Sequence, residues 1–499
     1  MKQRSSGILL PIFSLPGKYG IGTLGQEAYE FVDFLEQTGQ SAWQILPLGP
    51  TGYGDSPYQS FSTYAGNPYL ISLTKLIEEG LLTQEECEAC DFGADETRID
   101  YELLYRHRLS LLELAWQRAS QKPDDGLRQY LEANREWLPD YALFIAVKHH
   151  FGDVGLEQWD EDIRLRRPQA YVRYRRRLAD QVAFHSYLQY LFERQWLALK
   201  EYANARGIRI IGDIPIYVSY DSADVWSEPQ LFELNTNGLP NRIAGCPPDA
   251  FAPKGQRWGN PLYRWEEHKR DGYRWWIRRM RRCMQLYDVI RIDHFRGFDQ
   301  YFAIEAEAET AEHGCWLDGP GMELFAAMHD SLGEIDIIAE DLGFITDSVR
   351  ELVRATGYPN MKVIQFAFDA RDTGQAGDHL PHTYGWRSVV YTGTHDNPPL
   401  MAWLEEITPQ ERKQVQTYTQ AVSDTTEDLL DGLFRIVVSS PAKLCIIPLQ
   451  DYLRLGSEAR MNRPSVMGGN WQWRVTADAL AGCRETVRQW TEQGNRLRI

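Results

Sequence analysis

The sequence predicts an α/β fold, a (β/α)8 TIM barrel with large, mainly helical insertions, because it holds eight short apolar segments, helix-like stretches after most of them, and three carboxylates at or just past the ends of three segments. In order, the segments are Gly7 to Leu10, Ala42 to Leu46, Arg209 to Ile216, Val289 to Phe295, Ile335 to Leu342, Met361 to Phe368, Ser388 to Thr394 and Lys443 to Leu449. Each is continuously apolar rather than alternating, as expected of parallel strands covered on both faces.

The spacing between them is uneven. Residues 50–208 separate the second and third strands and contain amphipathic patterns such as Tyr101 to Arg118 and Ala183 to Arg206, which predict a mostly helical insertion. Residues 217–288 separate the third and fourth and are rich in Gly, Pro and Trp, with the tract GCPPDAFAPKGQRWGNP over 245–261. That tract reads as an ordered loop. With no internal repeat and no flexible connector, residues 1–499 are read as one barrel domain.

With 43% hydrophobic and 25% charged residues, the chain can bury a large core. A formal net charge of −17 opposes contact with phosphate backbones and anionic lipid, so neither nucleic acid nor a membrane is an expected partner. The basic run Arg164 to Arg177 carries Tyr171, Tyr174 and Leu178 at helical spacing and reads as a solvated helix face. No apolar stretch approaches the roughly 20 residues of a membrane span. The start, MKQRSSGILLPIF, is interrupted by Pro11 and lacks a small-residue cleavage site, so it is not read as a signal peptide. Seven scattered cysteines do not form a disulfide framework; a reducing compartment, the cytoplasm, is expected. The 16 Trp and 26 Tyr offer flat faces on which sugars stack, although core packing also uses such residues. No feature of the sequence sets an oligomeric state.

Several motifs lack the context their chemistry needs. Gly20, Gly22 and Gly25 spell GxGxxG, but FSLPGKY intervenes after the strand and no ribose-binding acid ends the next one. Gly49 to Ser56 approximates a phosphate loop, except that Asp55 stands where lysine is required. Cys87 and Cys90 form a lone CxxC, and His149 and His150 lack metalloprotease spacing, so all four read as structural and no metal site is expected.

The chemistry rests on Asp293 in VIRIDHFRGF, Glu340 in IDIIAEDLG and Asp396 in VVYTGTHDN, on the fourth, fifth and seventh strands. Barrel strand ends converge on one face, where the following loops assemble the active site. A strand-end acid can also cap a helix, but three together in a cleft raise at least one pKa and call for a chemical reason. Glycosidic bond cleavage supplies one: a carboxylate attacks the anomeric carbon and a carboxylic acid protonates the departing oxygen. Their surroundings must therefore differ. Arg291, on the same strand face as Asp293, can keep that residue charged. The apolar run before Glu340 can raise its pKa.

RIDHFRGF, AEDLG and GTHDN in this order resemble the signature regions of amylomaltases, also called disproportionating enzymes, and more distantly those of the α-amylase clan. The resemblance extends over GILLPIFSLPGKYGIGTLG, AWQILPLGPTGYGDSPYQSFSTYAGNPYL, GDIPIYV, the 245–261 loop, EARMNRPSV and NWQWR. It implies a cofactor-free retaining 4-α-glucanotransferase acting on maltooligosaccharides, amylose or glycogen-type glucans. Glucose or another glucan would be the acceptor, with minor hydrolysis and cyclisation of long chains. Asp293 would be the nucleophile and Glu340 the acid/base, while Asp396 would hold and help distort the −1 sugar. Arg291, His294, His395, Asp213 and Tyr58 would belong to the same subsite. Gln256 and Trp258 would sit on an overhang above the cleft, and Asn462 would be a further contact. The chain ends shortly after NWQWR, which leaves no room for the C-terminal β-domain of α-amylases. A retaining α-glucan hydrolase would use the same acids, and a glucan-binding barrel without catalysis is a second alternative.

Overall fold

The computed structural model describes residues 4–248, 252–371 and 376–498. Eight parallel strands close into a barrel: β1 (Ser5–Leu9), β2 (Ala42–Gln44), β3 (Arg209–Pro215), β6 (Val289–Asp293), β9 (Ile337–Ala339), β10 (Asn360–Val363), β11 (Ser388–Tyr391) and β12 (Leu444–Pro448), with β12 returning to β1. All eight predicted segments are present. Most end earlier than the apolar runs, because burial continues past the last ladder hydrogen bond. After β10, for example, Ile364–Phe368 forms a 3-10 turn with most of its residues buried.

Register positions the site. Across β3 and β6, Asp213 pairs with Arg291 and Pro215 with Asp293; across β6 and β9, Ile292 pairs with Ala339. The residue after Ala339 therefore emerges beside the end of β6.

Between β2 and β3 the chain runs through the helices Tyr101–Ala119, Asp125–Ala133, Leu138–His150, Pro168–Arg177 and Ala179–Ala205. Part of this segment builds a second core around Tyr141, Phe144, Trp159 and Trp226. Tyr174 is buried in the basic helix while most of its arginines face solvent, as expected of a solvated face. His149 contacts Asp153, and Cys87, Cys90, Cys283, Cys315, Cys445 and Cys483 are free thiols. Gly22 packs so tightly that a Cβ there would lie 2.1 Å from the Ile12 carbonyl oxygen, so a packing constraint accounts for that glycine.

Residues 217–288 hold more regular structure than the loop expected over 245–261. They contain β4 (Arg242–Cys246), β5 (Gln256–Pro261) and the helices Ala223–Ser227, Trp265–Arg270 and Arg274–Leu286. With β7 (Gln300–Glu305) and β8 (Cys315–Asp318), these strands form an antiparallel sheet of order β5-β4-β7-β8. The connections explain the difference: β4 and β5 pair antiparallel across nine residues rather than a short turn, and the other partner of β4, β7, lies more than fifty residues away. Gly245 permits the close approach of β5, since a Cβ there would stand 2.2 Å from the Gln256 carbonyl oxygen. Asp249, Ala250 and Phe251 of the 245–261 tract lie outside the described residues.

Candidate active site

The C-terminal mouth of the barrel opens into a cleft of about 440 Å³, within the size range of small-molecule sites. Its walls include Asp293, Glu340 and Asp396, with Gln256, Trp258 and Trp316 contributed by the antiparallel sheet.

Asp293 closes β6. Its Oδ1 accepts a hydrogen bond of 3.0 Å from Arg291 Nη1, and its side chain keeps 29% exposure. Burial pushes its pKa above the ordinary aspartate value, and the Arg291 charge opposes that push. Glu340, 8% exposed, is raised much further, first by burial and second by the negative charge on Asp293. The two carboxyls thus differ in acidity: Asp293 faces the Arg291 cation, whereas Glu340 is held further toward its protonated form by burial and by the charge on Asp293. Glu340 Oε2 accepts from the His294 backbone N–H at 2.6 Å and Oε1 from Leu342 N–H at 3.0 Å. One donor is the residue immediately after Asp293, so the two carboxyls are held as neighbours. His294 takes a left-handed backbone, φ 53°, to present that N–H. Its half-buried imidazole, desolvated and close to Arg296, has its pKa lowered to about 3 and stays neutral.

Behind these acids runs a polar chain. Arg291 Nη1 lies 2.8 and 2.7 Å from the two Asp213 oxygens. The Tyr58 hydroxyl donates to Asp213 Oδ2 at 2.9 Å and stands 3.2 Å from His395 Nδ1. With the Tyr58 proton committed to Asp213, the Tyr58 oxygen is the acceptor from Nδ1. The Tyr58 and His395 rings stack at 4.8 Å. His395 Nε2 is 3.4 Å from Asp396 Oδ1, which also accepts from Asn462 Nδ2 at 2.6 Å. On the sheet side, Trp258 Nε1 donates to Gln256 Oε1 at 3.1 Å, and its ring meets His294 edge-on at 4.7 Å. Among the described residues no group of three or more His, Cys, Asp or Glu is placed to hold a metal ion.

A sequence-family model described as 4-alpha-glucanotransferase matches residues 10–479. The chain belongs to the 4-alpha-glucanotransferase family. It is 48% identical to the 4-alpha-glucanotransferase of Streptococcus pneumoniae serotype 4 over 483 residues, covering 96% of this chain and 95% of the relative. Identity to the Thermus thermophilus enzyme of the same name is 46% over 504 residues, covering 99% and 97%. The solved amylomaltase from Streptococcus agalactiae, in complex with acarbose, superposes with a TM-score of 0.95 at 40% identity, over 99% of this chain and 100% of that one.

In this 4-alpha-glucanotransferase, all the residues singled out in the sequence meet at one rim, with one difference. Asp213 was expected among the residues lining the −1 subsite, yet it is 0% exposed and its oxygens are engaged by Arg291 and Tyr58. Its reach to the cleft is indirect, through those two partners. Further residues at or behind the cleft, besides Trp316, were not singled out in the sequence. Arg460 donates to the Asp396 carbonyl at 3.0 Å. Trp471 packs against the rings of Tyr58 and His395 at 5.9 and 5.8 Å. Arg291 Nε points to the Met361 sulfur at 3.3 Å. Arg460 and Trp471 lie within or beside the EARMNRPSV and NWQWR motifs, the one signal that could have found them.

Proposed function

We propose that this enzyme transfers α-1,4-glucan segments by a retaining double displacement in which Asp293 is the nucleophile, Glu340 the acid/base and Asp396 the holder of the −1 sugar. The supporting observation is the electrostatic asymmetry of two neighbouring carboxyls, one facing Arg291 at 3.0 Å and the other buried and raised by the first one's charge. Glu340 gives its proton to the oxygen joining two sugars as an Asp293 oxygen bonds to C1. The glycosidic bond breaks, and the shortened glucan leaves with that proton. The 4-hydroxyl of glucose or of another glucan then attacks C1, its proton passes to Glu340, and the Asp293 carboxylate departs. Two inversions restore the α configuration.

Asp396, steadied by Asn462 and Arg460, accepts hydrogen bonds from hydroxyls of the −1 sugar. Arg291, His294, His395 and Tyr58 shape its surroundings, while Gln256 and Trp258 border the covered side. Maltooligosaccharides, amylose and glycogen-type glucans are the substrates. Attack by a chain's own end gives cycles, and attack by water gives minor hydrolysis. The free thiols of Cys87, Cys90, Cys283, Cys315, Cys445 and Cys483 support residence in the reducing cytoplasm. No helix among the described residues is long and apolar enough to cross a membrane.

The test is incubation of pure enzyme with maltotriose. Longer oligomers together with glucose support transfer, whereas only shorter products favour the hydrolase. First-formed products in the α configuration support retention.

A further inference from the structure

Phe344, four residues past Glu340, lines the cleft with 64% of its surface exposed. An apolar ring facing water beside a catalytic acid gains little for folding. It is nonetheless held in place. Its ring stacks on Trp316 of β8 with centroids 6.2 Å apart and planes inclined by 21°. The guanidinium of Arg296, a residue only 2% exposed, lies 3.9 Å from the Trp316 centroid and 5.8 Å from that of Phe344. Arg296 Nη1 also donates to the Phe344 carbonyl. A buried cation thereby fixes an exposed apolar face in one orientation.

The location indicates which sugar uses that face. Asp396 belongs to a connected group with Asn462, His395 and Tyr58, and this group is assigned to the sugar bonded to Asp293. Phe344, on the segment following Glu340, and Trp316, on β8, belong to a different group, tied through Arg296 to the segment following Asp293. Glu340 must reach the oxygen between the −1 sugar and its neighbour, so residues continuing from it flank that neighbour.

The geometry points to the Phe344–Trp316 pair as the stacking platform of the acceptor subsite, where it positions the incoming 4-hydroxyl of a glucose unit and thereby sets the balance between transfer and hydrolysis. This inference rests on the proposed roles of Asp293 and Glu340. In the step it favours, the acceptor oxygen bonds to C1, its proton passes to Glu340, and the Asp293 carboxylate leaves. An unstacked acceptor competes less well with water for the same intermediate.

The experiment uses the full chain with α-maltosyl fluoride as donor and glucose as acceptor. Fluoride leaves without a sugar in the acceptor subsite, so formation of the intermediate is read separately from its capture. For Phe344→Ala and Trp316→Ala, the first-turnover rate of fluoride release stays within about twofold of the parent enzyme. The glucose concentration for half-maximal transfer rises about tenfold, and the hydrolysed share of product grows. Phe344→Tyr, which keeps a flat ring, restores the parent values. Unchanged acceptor dependence and product partition in both alanine variants overturn the platform. So does a matching loss of fluoride release, which marks the rings as structural. If the parent enzyme forms the intermediate but passes it only to water, the transferase reading fails, and the platform with it.

Discussion

Asp213 and Arg291 face each other across β3 and β6, joined by contacts of 2.8 and 2.7 Å at 0% and 3% exposure. The same Arg291 nitrogen reaches Asp293, so the arginine divides its charge between a hidden carboxylate and one at the cleft. This division accounts for an Asp293 pKa above the ordinary value despite an adjacent cation: burial and the charge on Asp213 both raise it.

Asp213→Asn tests the division. The variant leaves a buried arginine with one weaker partner, and removing one member of a buried pair costs about 3–5 kcal/mol, an upper bound here because asparagine still accepts a hydrogen bond. The expected result is a Tm lower by several degrees and kcat/KM reduced about 10²-fold as Tyr58 and Arg291 shift. The acid limb of the activity profile moves to lower pH, because a charge that raised the Asp293 pKa has gone. Steady-state kinetics across pH read all three effects, and an acid limb moving upward contradicts the assignment.

Activity against pH should be bell-shaped. It rises as Asp293 ionises, at a pH above the usual aspartate range, and falls as Glu340 loses its proton, far above the usual glutamate range. Asp293→Asn removes the second-largest cause of the Glu340 shift, so the Glu340 pKa must fall in that variant. Carbon-13 NMR of labelled glutamate follows it. Turnover in the same variant drops by roughly 10⁴ or more while glucan binding persists. Near-normal transfer would remove Asp293 from the nucleophile's role.

The barrel was legible in the sequence because its strands are covered on both faces. Val289, Ile290 and Ile292 mark the strand on either side of Arg291, and Asp293 stands at its end. The antiparallel sheet was not legible, since its local pair, β4 with β5, is joined by nine residues rather than a short turn, and Ile304 meets Ile243 only in the fold. Nor could spacing distinguish a lining from a buried role for Asp213, because an aspartate inside IIGDIP satisfies either reading until Arg291 is placed opposite. Phe344 carried no signal, since its meaning comes from Trp316 and Arg296, both remote in sequence from it.

Asn462→Ala isolates the support of Asp396. The 2.6 Å hydrogen bond from Asn462 is the shortest polar contact of that carboxylate, and hydrogen bonds to charged groups contribute about 1.5–3 kcal/mol. Without it Asp396 loses a fixed orientation, so kcat/KM for maltotriose falls about ten- to hundredfold with little change in Tm. Wild-type kinetics in the variant would show that the cleft positions Asp396 by other means.

Acid sensitivity of the fold should trace in part to His185. Its imidazole is 4% exposed, and burial, followed by the nearby His149, lowers its pKa from 6.5 to about 3. A folded-state pKa below the unfolded one means that the unfolded chain binds the proton first. The contribution is therefore complete above pH 6.5 and is lost as pH falls toward 3. Between pH 7 and pH 5 this histidine alone accounts for about 2 kcal/mol of lost stability, at about 1.4 kcal/mol per pKa unit. The buried Asp451, raised to about 6 by burial, works in the opposite direction, because it takes up a proton in the folded state over much of the same range. The total pH dependence therefore does not isolate His185, but a variant does. His185→Phe keeps a ring in the site without a titrating nitrogen, so its decline in unfolding free energy from pH 7 to pH 5, measured in urea, is shallower than that of the parent by about 2 kcal/mol. Parallel declines in the two proteins would mean that the imidazole takes up its proton as readily in the folded chain as in the unfolded one.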